Sequence, residues 1–371
     1  MAFDDDHPIP ARHTCDGENV SPELRWSDAP QGAVSPALTC EDPDAPHGTF
    51  THWLIWKMSQ VAADDPVVRR LANDGLLLGI TAWTQPSLVG HLYPPTVTTA
   101  EQRLGFYARR YPITEVDSTF YRPLAERTAE LWVSRTPAGF SFDVKAFRLL
   151  THHPTPPSVL WRDVRDSLPP DQAAKRTVYA RNLPRELLTE ALRRFTAALA
   201  PLRDAGRLGL VLFQLPRYVY PSRASSGYLE WVANELADVR VGVEFRQRRW
   251  MDDEHREATI GFLADHDLVY VCVDEPRGLA SSVPPVAVAT TDVAEVRFHG
   301  RNAALWEAPE VTPVERHRYD YRRAELAEWV PKIRLLHEGG RPVHVLMNNC
   351  ADGACVRNAM TLATLLADQL E

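Results

Sequence analysis

The fold is decided by two stretches of sequence, Gly209-Leu210-Val211-Leu212-Phe213-Gln214-Leu215-Pro216 and Val241-Gly242-Val243-Glu244-Phe245-Arg246. Each is a short apolar run rich in residues that favour β-strands, and each ends in polar side chains. An amphipathic stretch of helical periodicity, Tyr228–Ala237, lies between them. A buried strand, a helix and a second buried strand form the β–α–β unit of a parallel sheet, so we expect the two runs to be neighbouring parallel strands.

The same alternation recurs along the chain from residue 76. The eight apolar runs are Leu76–Trp83, Ile113–Phe120, Phe140–Phe147, Gly209–Pro216, Val241–Arg246, Leu268–Asp274, Ala294–Gly300 and Val343–Asn349. Helical patterns between and after them are Glu101–Arg110, Leu124–Ser134, Glu186–Arg203, Tyr228–Ala237, Glu254–His266, Ala324–His337 and Val356–Leu370. This pattern predicts an α/β fold, a (β/α)8 TIM-type barrel. A doubly wound open sheet is the alternative, but the phosphate-binding glycine loops typical of that fold do not occur in the sequence.

Polar side chains gather at the carboxyl ends of the apolar runs, which is where barrels of this type have their active sites. Where two such residues are spaced by two positions, as Glu244 and Arg246 are, they lie on one face of the strand. If that face points inward, the side chains converge on one mouth of the barrel. The residues concerned are Trp83, Glu115, Asp117, Ser118, Lys145, Arg148, Gln214, Glu244, Arg246, Asp274, Glu275, Arg297, His299, Asn348 and Asn349.

Residues 76–368 also carry a resemblance to a known family. Matching stretches are Leu92-Tyr93-Pro94, Glu115–Arg122, Phe142–Ala146, Thr151-His152, Leu208–Pro216, Val243–Arg246 with Trp250, Val296–Asn302 with Trp306, Tyr319-Asp320-Tyr321 and Asn348-Asn349. In this order they resemble the YecE-like family (domain of unknown function 72), a family of TIM-type barrels. The sequence departs from the family at Ala82, where Gly is frequent, and at Cys350, where His is frequent. The resemblance implies the fold but no reaction, because the family's activity is uncharacterised.

Three residues are candidates for catalysis. Glu115 and Glu244, on the second and fifth runs, would supply the acid and base of a hydrolytic reaction. Lys145 would act as a nucleophile or an acid if its environment were dry. The alternative is structural: Glu244 pairs with Arg246 or Arg297 to close the barrel mouth, and Lys145 is a charged partner of the carboxylates around it.

The candidates for substrate binding suit a small polar or anionic molecule. Guanidinium groups bind phosphate and carboxylate through paired hydrogen bonds, so the arginines and His299 would hold the anion. The asparagine pair would orient it. The predicted binding residues are Trp83, Asp117, Arg246, Arg297, His299, Arg301, Asn302, Asn348 and Asn349.

Three hypotheses of function follow from these residues. The first is an enzyme of hydrolase or lyase type that uses no cofactor, because the sequence contains no cofactor motif. The second is a non-catalytic protein that binds small molecules or anions. The third is a metal-dependent barrel that cleaves phosphodiesters, but no compact ligand spacing supports it, and we predict no metal. Its ligands would be drawn from Glu115, Asp117, Glu244, Asp274, His152 and His299. Residues 151–185 are either a lid over the mouth or an insertion without a role.

Residues 3–58 carry a second resemblance. They contain Thr14-Cys15-Asp16-Gly17-Glu18-Asn19-Val20-Ser21-Pro22, Asp42-Pro43-Asp44-Ala45-Pro46 and His52-Trp53, in that order. This series resembles the phosphatidylethanolamine-binding protein family, a β-sandwich family. The resemblance implies an anion pocket formed by Asp42, Asp44 and His52. The second half of that family's pattern does not follow, and about 60 residues hardly bury a sandwich core. We therefore predict an incomplete β-rich remnant without a working pocket.

Charge divides the chain in the same way. Residues 1–66 contain 12 acidic and three basic residues, whereas residues 67–371 contain 37 and 38. We predict a fused segment over residues 1–59, a linker over 60–75 and the barrel over 76–371. The acidic total disfavours nucleic acid as a partner. Five cysteines without a disulfide framework, and no apolar run of about 18 residues, predict a cytoplasmic protein without a membrane partner.

Overall fold

The computed structural model describes residues 38–42, 50–55 and 65–368, which belong to two units, one within residues 1–62 and one within residues 63–371. In the first unit, β1 (Leu38–Asp42) pairs antiparallel with β2 (Phe50–Ile55). Asp42 and His52 of the predicted anion pocket lie on these neighbouring strands, with Asp42 opposite Phe50. Asp44, the third residue of that pocket, lies outside the described residues.

The second unit contains a closed barrel of eight parallel strands. They are β3 (Leu76–Thr81), β4 (Ile113–Val116), β5 (Ser141–Lys145), β6 (Leu208–Gln214), β7 (Val241–Glu244), β8 (Leu268–Asp274), β9 (Ala294–Phe298) and β10 (Val343–Met347). Consecutive strands are neighbours, and β10 pairs with β3 to close the ring. Each of the eight predicted runs forms one strand, which confirms the TIM-type barrel. The runs are apolar because parallel strands are covered on both faces, and β8, β9 and β10 are buried along their whole length.

Helices connect the strands. They are α1 (Pro66–Asn73), α2 (Ala100–Arg110), α3 (Ser118–Tyr121), α4 (Glu126–Ser134), α5 (Arg162–Asp166), α6 (Pro170–Ala173), α7 (Arg185–Ala198), α8 (Ala200–Asp204), α9 (Arg223–Glu235), α10 (Arg256–Asp265), α11 (Ala303–Trp306), α12 (Pro313–Arg316), α13 (Arg323–Ala327), α14 (Val330–His337) and α15 (Ala354–Ala367). Two predicted helices are each divided, at α7/α8 and α13/α14. Pro201 and Pro331 explain the breaks, because proline suits a first helical turn but not a helix interior. Within residues 65–368, no helix is long and apolar enough to cross a membrane.

Residues 66–73 form a helix where the sequence predicts a linker. Asp65 caps α1 by accepting hydrogen bonds from the backbone N–H groups of Val67 and Val68, at 3.0 and 3.2 Å. Val68 and Leu71 are buried against the barrel core. The linker prediction is therefore corrected for these residues: an Asp-Pro start signal and two apolar anchors suffice for a short packed helix.

The long stretch between β5 and β6 is packed onto the barrel. Thr155 pairs with Val178 in an isolated antiparallel bridge, which joins the beginning of the stretch to its middle. Leu160, Val164 and Leu168 between them are buried.

The barrel interior contains polar pairs as well as apolar side chains. Asp143 on β5 and His344 on β10 meet across the interior, with 2.8 Å between Oδ2 and Nδ1. Oδ1 of Asp143 also accepts the backbone N–H of Leu210 at 3.0 Å. Gly209 on β6 leaves room for this carboxylate, because a Cβ at that position would lie 2.2 Å from Oδ1. Asp143, His344 and Gly209 thus form one layer of the barrel interior, and the layer requires glycine at position 209.

Candidate functional site

Arg297 on β9 is the centre of a buried ionic cluster inside the barrel. Its Nε and Nη2 donate to the two carboxylate oxygens of Glu115 on β4, at 2.7 and 2.6 Å. Its Nη1 donates to Oε2 of Glu244 on β7. All three side chains have no exposed surface. The two predicted catalytic carboxyl groups are thus brought together, but around an arginine, as in the structural alternative.

Glu244 is surrounded by donors on its other oxygen. Oε1 accepts from Nε2 of Gln214 at 2.6 Å, and it lies 2.8 Å from Nε of Arg246 and 3.2 Å from Nε2 of His299. Burial alone would raise the pKa of Glu244, but the charge of Arg297 and the donors around Oε1 hold that pKa well below its usual value. Glu244 is therefore an ionised carboxylate with saturated hydrogen bonding.

Glu115 differs from Glu244 although both bind the same arginine. Burial raises the pKa of Glu115 to about 8, because Arg297 offsets only part of the desolvation and Asp117 adds a like charge. Two carboxyl groups whose environments push their pKa values apart have the electrostatic pattern of an acid and a base. The pattern agrees with the predicted roles, but neither group lines a cavity among the residues that the structure describes.

His299 links this cluster to the barrel mouth. The hydroxyl of Thr81 donates to Oδ1 of Asn348 at 2.8 Å, and the amide nitrogen of Asn348 donates to Nδ1 of His299 at 2.9 Å. Nε2 of His299 therefore carries the hydrogen and donates to Glu244. Burial and the charge of Arg246 lower the pKa of His299 to about 3, so the ring is neutral.

A cavity of about 400 Å³ lies next to the cluster, at the carboxyl ends of the strands. Gln214, Arg246 and Asn348 line it and also contact the cluster. Among the described residues, no Asp or Glu lines this cavity. Its basic lining residues are Lys145, His153, Arg217, Arg246, Arg316 and His317. The mouth of the barrel is therefore cationic.

The cations of the cavity differ in how they are paired. Arg246 binds Glu244 and, through Nη1, Oε2 of Glu275 at 2.7 Å, and its guanidinium lies 4.8 Å from the ring centroid of Trp306. In contrast, neither Arg217 nor Arg316 forms a salt bridge within residues 65–368, although hydrogen bonds from Ser281 and the charge of Arg217 lower the pKa of Glu307. Nη2 of Arg316 donates to the backbone carbonyl of Ala308 at 3.3 Å, and its buried Nε has no hydrogen-bond partner among these residues. Burial and the like charges of Arg246 and Arg217 lower the pKa of Arg316.

The predicted site residues divide into four groups by position. Arg246 and Asn348, which were predicted to bind substrate, and Lys145, which was predicted as catalytic, line the cavity. Arg297 and His299 belong to the buried cluster and have no exposed surface. Trp83 and Asp117 border a separate cavity of about 190 Å³.

The remaining predicted residues stabilise loops instead of lining the cavity. Arg301 binds both oxygens of Asp274, at 2.9 and 2.7 Å. The amide nitrogen of Asn302 donates to a backbone carbonyl at 3.1 Å. Asn349 is buried, and its amide nitrogen donates to Oδ1 of Asn358 at 2.6 Å. These residues follow strands, as predicted, but their side chains bind other protein groups and stabilise the loops at the barrel mouth.

Four basic lining residues, His153, Arg217, Arg316 and His317, were not predicted as site residues, although His153 lies within the stretch 151–185 that was considered as a lid. Arg217 comes three residues after Gln214, so a strand-end rule extended by a few residues would include it. Arg316 and His317 lie at the end of α12, far along the connection between β9 and β10. No sequence pattern marks that connection as part of the site.

The six side chains considered as metal ligands are not gathered around one point. Glu115 and Glu244 bind Arg297, and Asp274 binds Arg301. Within residues 65–368, the one grouping with ligand spacing is Asp252, Glu254 and His255, whose ligand atoms lie within 4.8 Å of one another near the surface.

The fold and the site define a (β/α)8-barrel protein with a polar cavity at the carboxyl ends of its strands. Residues 77–371 match the family described as "Protein of unknown function DUF72", and the chain belongs to that family. It is similar to the UPF0759 protein YunF of Bacillus subtilis (strain 168), with 30% identity over 295 residues, 78% of this chain and 94% of that protein. It is also similar to the crystal structure of a DUF72 family protein from Thermotoga maritima MSB8, with a TM-score of 0.61, 28% identity, and coverage of 78% of this chain and 98% of that one.

The N-terminal resemblance is confirmed as well. Residues 1–106 match the phosphatidylethanolamine-binding protein family. The UPF0098 protein of Methanothermobacter thermautotrophicus is 54% identical over 57 residues, which are 15% of this chain and 38% of that protein. Residues 77–106 belong to both family matches, and in the structure they form parts of β3 and α2 of the barrel.

Proposed function

We propose that this protein binds a small anionic molecule in the cavity at the barrel mouth and acts on it as an enzyme of hydrolase or lyase type. One observation carries the binding step: Arg217 and Arg316 line the cavity without a salt bridge among the described residues. Guanidinium groups near one another repel, and a bound phosphate or carboxylate offsets that repulsion while accepting paired hydrogen bonds.

The buried cluster supports the binding step by positioning residues of the cavity. Arg246 is fixed by Glu244 and Glu275, and Asn348 is fixed between Thr81 and His299. Side chains held in this way lose little conformational entropy when a ligand binds, which increases affinity.

The catalytic step is proposed from the groups that surround the same cavity. Lys145, His153 and His317 line it and are chemically able to move protons. Glu115 and Glu244 do not line the cavity, so in this proposal they act through the residues that they hold: Glu244 fixes Arg246 and His299, and Glu115 fixes Arg297.

Calorimetric titration with inorganic phosphate and with acetate tests the binding step. We expect Arg217→Gln and Arg316→Gln each to weaken binding by roughly tenfold or more, since a hydrogen bond to a charged group contributes about 1.5–3 kcal/mol. Arg162→Gln is the matched control, because the Arg162 side chain is 89% exposed and does not line the cavity. Equal affinity of all three variants for both anions would contradict the proposal.

A non-catalytic binding protein is the second candidate. The observation in its favour is that the two predicted catalytic carboxyl groups are fully buried and bound to Arg297. A screen of phosphate and carboxylate esters separates the two candidates. Turnover that Glu115→Gln and Glu244→Gln abolish, while anion binding persists, supports the enzyme. Binding without turnover by the unmodified protein supports the alternative.

A further inference from the structure

The cavity contains hydrogen-bond acceptors as well as cations. Nδ1 of His317 lies 3.1 Å from the backbone carbonyl oxygen of His299. A carbonyl oxygen only accepts, so Nδ1 carries the hydrogen and Nε2 has a lone pair. Nε2 of His317 has no hydrogen-bond partner among residues 65–368, and the ring lines the cavity. Burial, His299 and Arg246 lower the pKa of His317 well below its usual value, which keeps the ring neutral.

His153, which also lines the cavity, has the same arrangement. The hydroxyl of Thr151 donates to the backbone carbonyl of Arg148 at 3.2 Å and therefore accepts from Nδ1 of His153 at 2.9 Å. Nε2 of His153 is then the acceptor. Burial and the charges of Lys145 and Arg148 lower the pKa of His153 to about 3. Two neutral imidazole acceptors thus line a cavity that is otherwise cationic.

These acceptors restrict the chemistry of the ligand. An ammonium group would be repelled by Arg217 and Arg316, which line the same cavity without a salt bridge among the described residues, so the donors that face the two imidazoles must be neutral. Hydroxyl groups meet this requirement, and the aromatic rings of Phe120 and Trp306 beside the imidazoles suit the apolar face of a carbon chain or sugar ring. A cavity of about 400 Å³ has the size of a site for such a small molecule.

We propose that the ligand is a polyhydroxylated anion, a phosphorylated or carboxylated polyol or sugar. Its anionic group binds Arg217 and Arg316, and its hydroxyl groups donate to Nε2 of His317 and of His153. This inference rests on the proposed anion site and adds the residues that would bind the hydroxyl groups of the ligand. Phosphate and carboxylate share the anionic chemistry, and the test below separates them.

Matched pairs of probes test the proposal by calorimetric titration of the full chain. Glycerol 3-phosphate is compared with propyl phosphate, and glycerate with propionate, because the members of each pair differ only in two hydroxyl groups. At about 1 kcal/mol for each hydrogen bond, we expect the hydroxylated member of the preferred pair to bind roughly ten- to thirtyfold more tightly. The pair with the larger affinity identifies the anionic group.

Variants of the two histidines assign the effect to residues. His317→Phe and His153→Phe should each reduce the ratio of affinities within a pair by roughly fivefold, and the ratio cancels any change in affinity for the anionic group that both members share. His317→Gln, which keeps an acceptor, should retain most of the ratio. Thermal unfolding shows whether each variant is folded, and either phenylalanine variant alone suffices for the test.

The two proposals fail in different ways. If inorganic phosphate and acetate do not bind, or bind equally to Arg217→Gln and Arg316→Gln, the anion site itself is wrong. If the anions bind as expected but the hydroxylated probes have no advantage, or keep it in both phenylalanine variants, only the assignment of a hydroxylated ligand is overturned.

Discussion

The buried cluster around Arg297 and the cavity beside it are both rich in arginine, yet they differ in every other respect. In the cluster, the guanidinium group of Arg297 has two hydrogen-bonded carboxylate partners, a third carboxylate, Glu295, at 3.9 Å, and no exposed surface. In the cavity, neither Arg217 nor Arg316 forms a salt bridge among residues 65–368. A buried charge needs its partner within the protein, whereas a charge that faces a cavity can take its partner from a ligand. The same residue type therefore has a structural role in one region and, in the proposed function, a role in ligand recognition in the other.

The largest effect is expected from Arg297→Met, which leaves Glu115 and Glu244 buried without their shared partner. Loss of one member of a buried ion pair typically costs about 3–5 kcal/mol in the free energy of unfolding. Urea denaturation measures it, with Arg162→Gln as the control. A triple variant that adds Glu115→Gln and Glu244→Gln should recover much of the loss. A loss below about 1 kcal/mol for Arg297→Met would show that the cluster is not a closed ionic unit.

The next effect concerns the pH dependence of stability. The pKa of Glu115 rises from 4.5 to about 8 on folding, so the folded state binds the proton more tightly than the unfolded state does. Its contribution is fully present below about pH 4.5 and is lost as the pH rises through about 8. Unfolding free energies between pH 5 and 8 should therefore fall less in Glu115→Gln than in the unmodified protein, by roughly 2 kcal/mol. Identical slopes would contradict the raised pKa.

The contribution of Glu244 to stability depends on pH in the opposite direction to that of Glu115. Its pKa is lowered on folding, so its contribution to stability is present above about pH 4.5 and is lost as the pH falls below that value. Glu244→Gln should flatten the acid side of the stability profile, where Glu115→Gln leaves it unchanged. If stability depended on pH in the same way in both variants, the opposite pKa shifts of Glu115 and Glu244 would be wrong.

The smallest effect on stability is expected in the cavity. Combined Arg217→Gln and Arg316→Gln should change the free energy of unfolding by no more than about 0.5 kcal/mol, because no salt bridge among the described residues is broken. Thermal unfolding with and without phosphate measures the difference. Phosphate should raise the melting temperature of the unmodified protein and not that of the variant. A large loss of stability without any anion would place these arginines with the structural cluster.

The sequence predicted the barrel because its signal is repeated and local. Eight apolar runs each needed burial on both faces, and only a closed parallel sheet with helices outside meets that need eight times. The helix α1 was missed because it is short and has only two buried anchors, Val68 and Leu71. Its start signal, Asp65 followed by Pro66, was present in the sequence but was read as part of a linker.

The candidate site was predicted in part, for a geometric reason. Strand periodicity correctly aligned Glu115, Glu244 and Arg297 toward the interior, but it does not give depth along the barrel axis. Arg246, two residues beyond the end of β7, reaches the cavity, whereas Glu244 at the end of the strand stays buried. His317 lines the cavity because the long connection between β9 and β10 passes over it, and no local sequence pattern predicts the course of that connection.

The layer of Asp143, His344 and Gly209 has a consequence for engineering this barrel. Three strands meet there, and any side chain at Gly209 would collide with a carboxylate that is already engaged by His344 and by the backbone. These positions can change only as a set, so stepwise mutation is blocked at this level of the barrel. A designer who wishes to give the protein a new specificity would diversify the loops that carry Arg217 and Arg316 and leave this layer untouched.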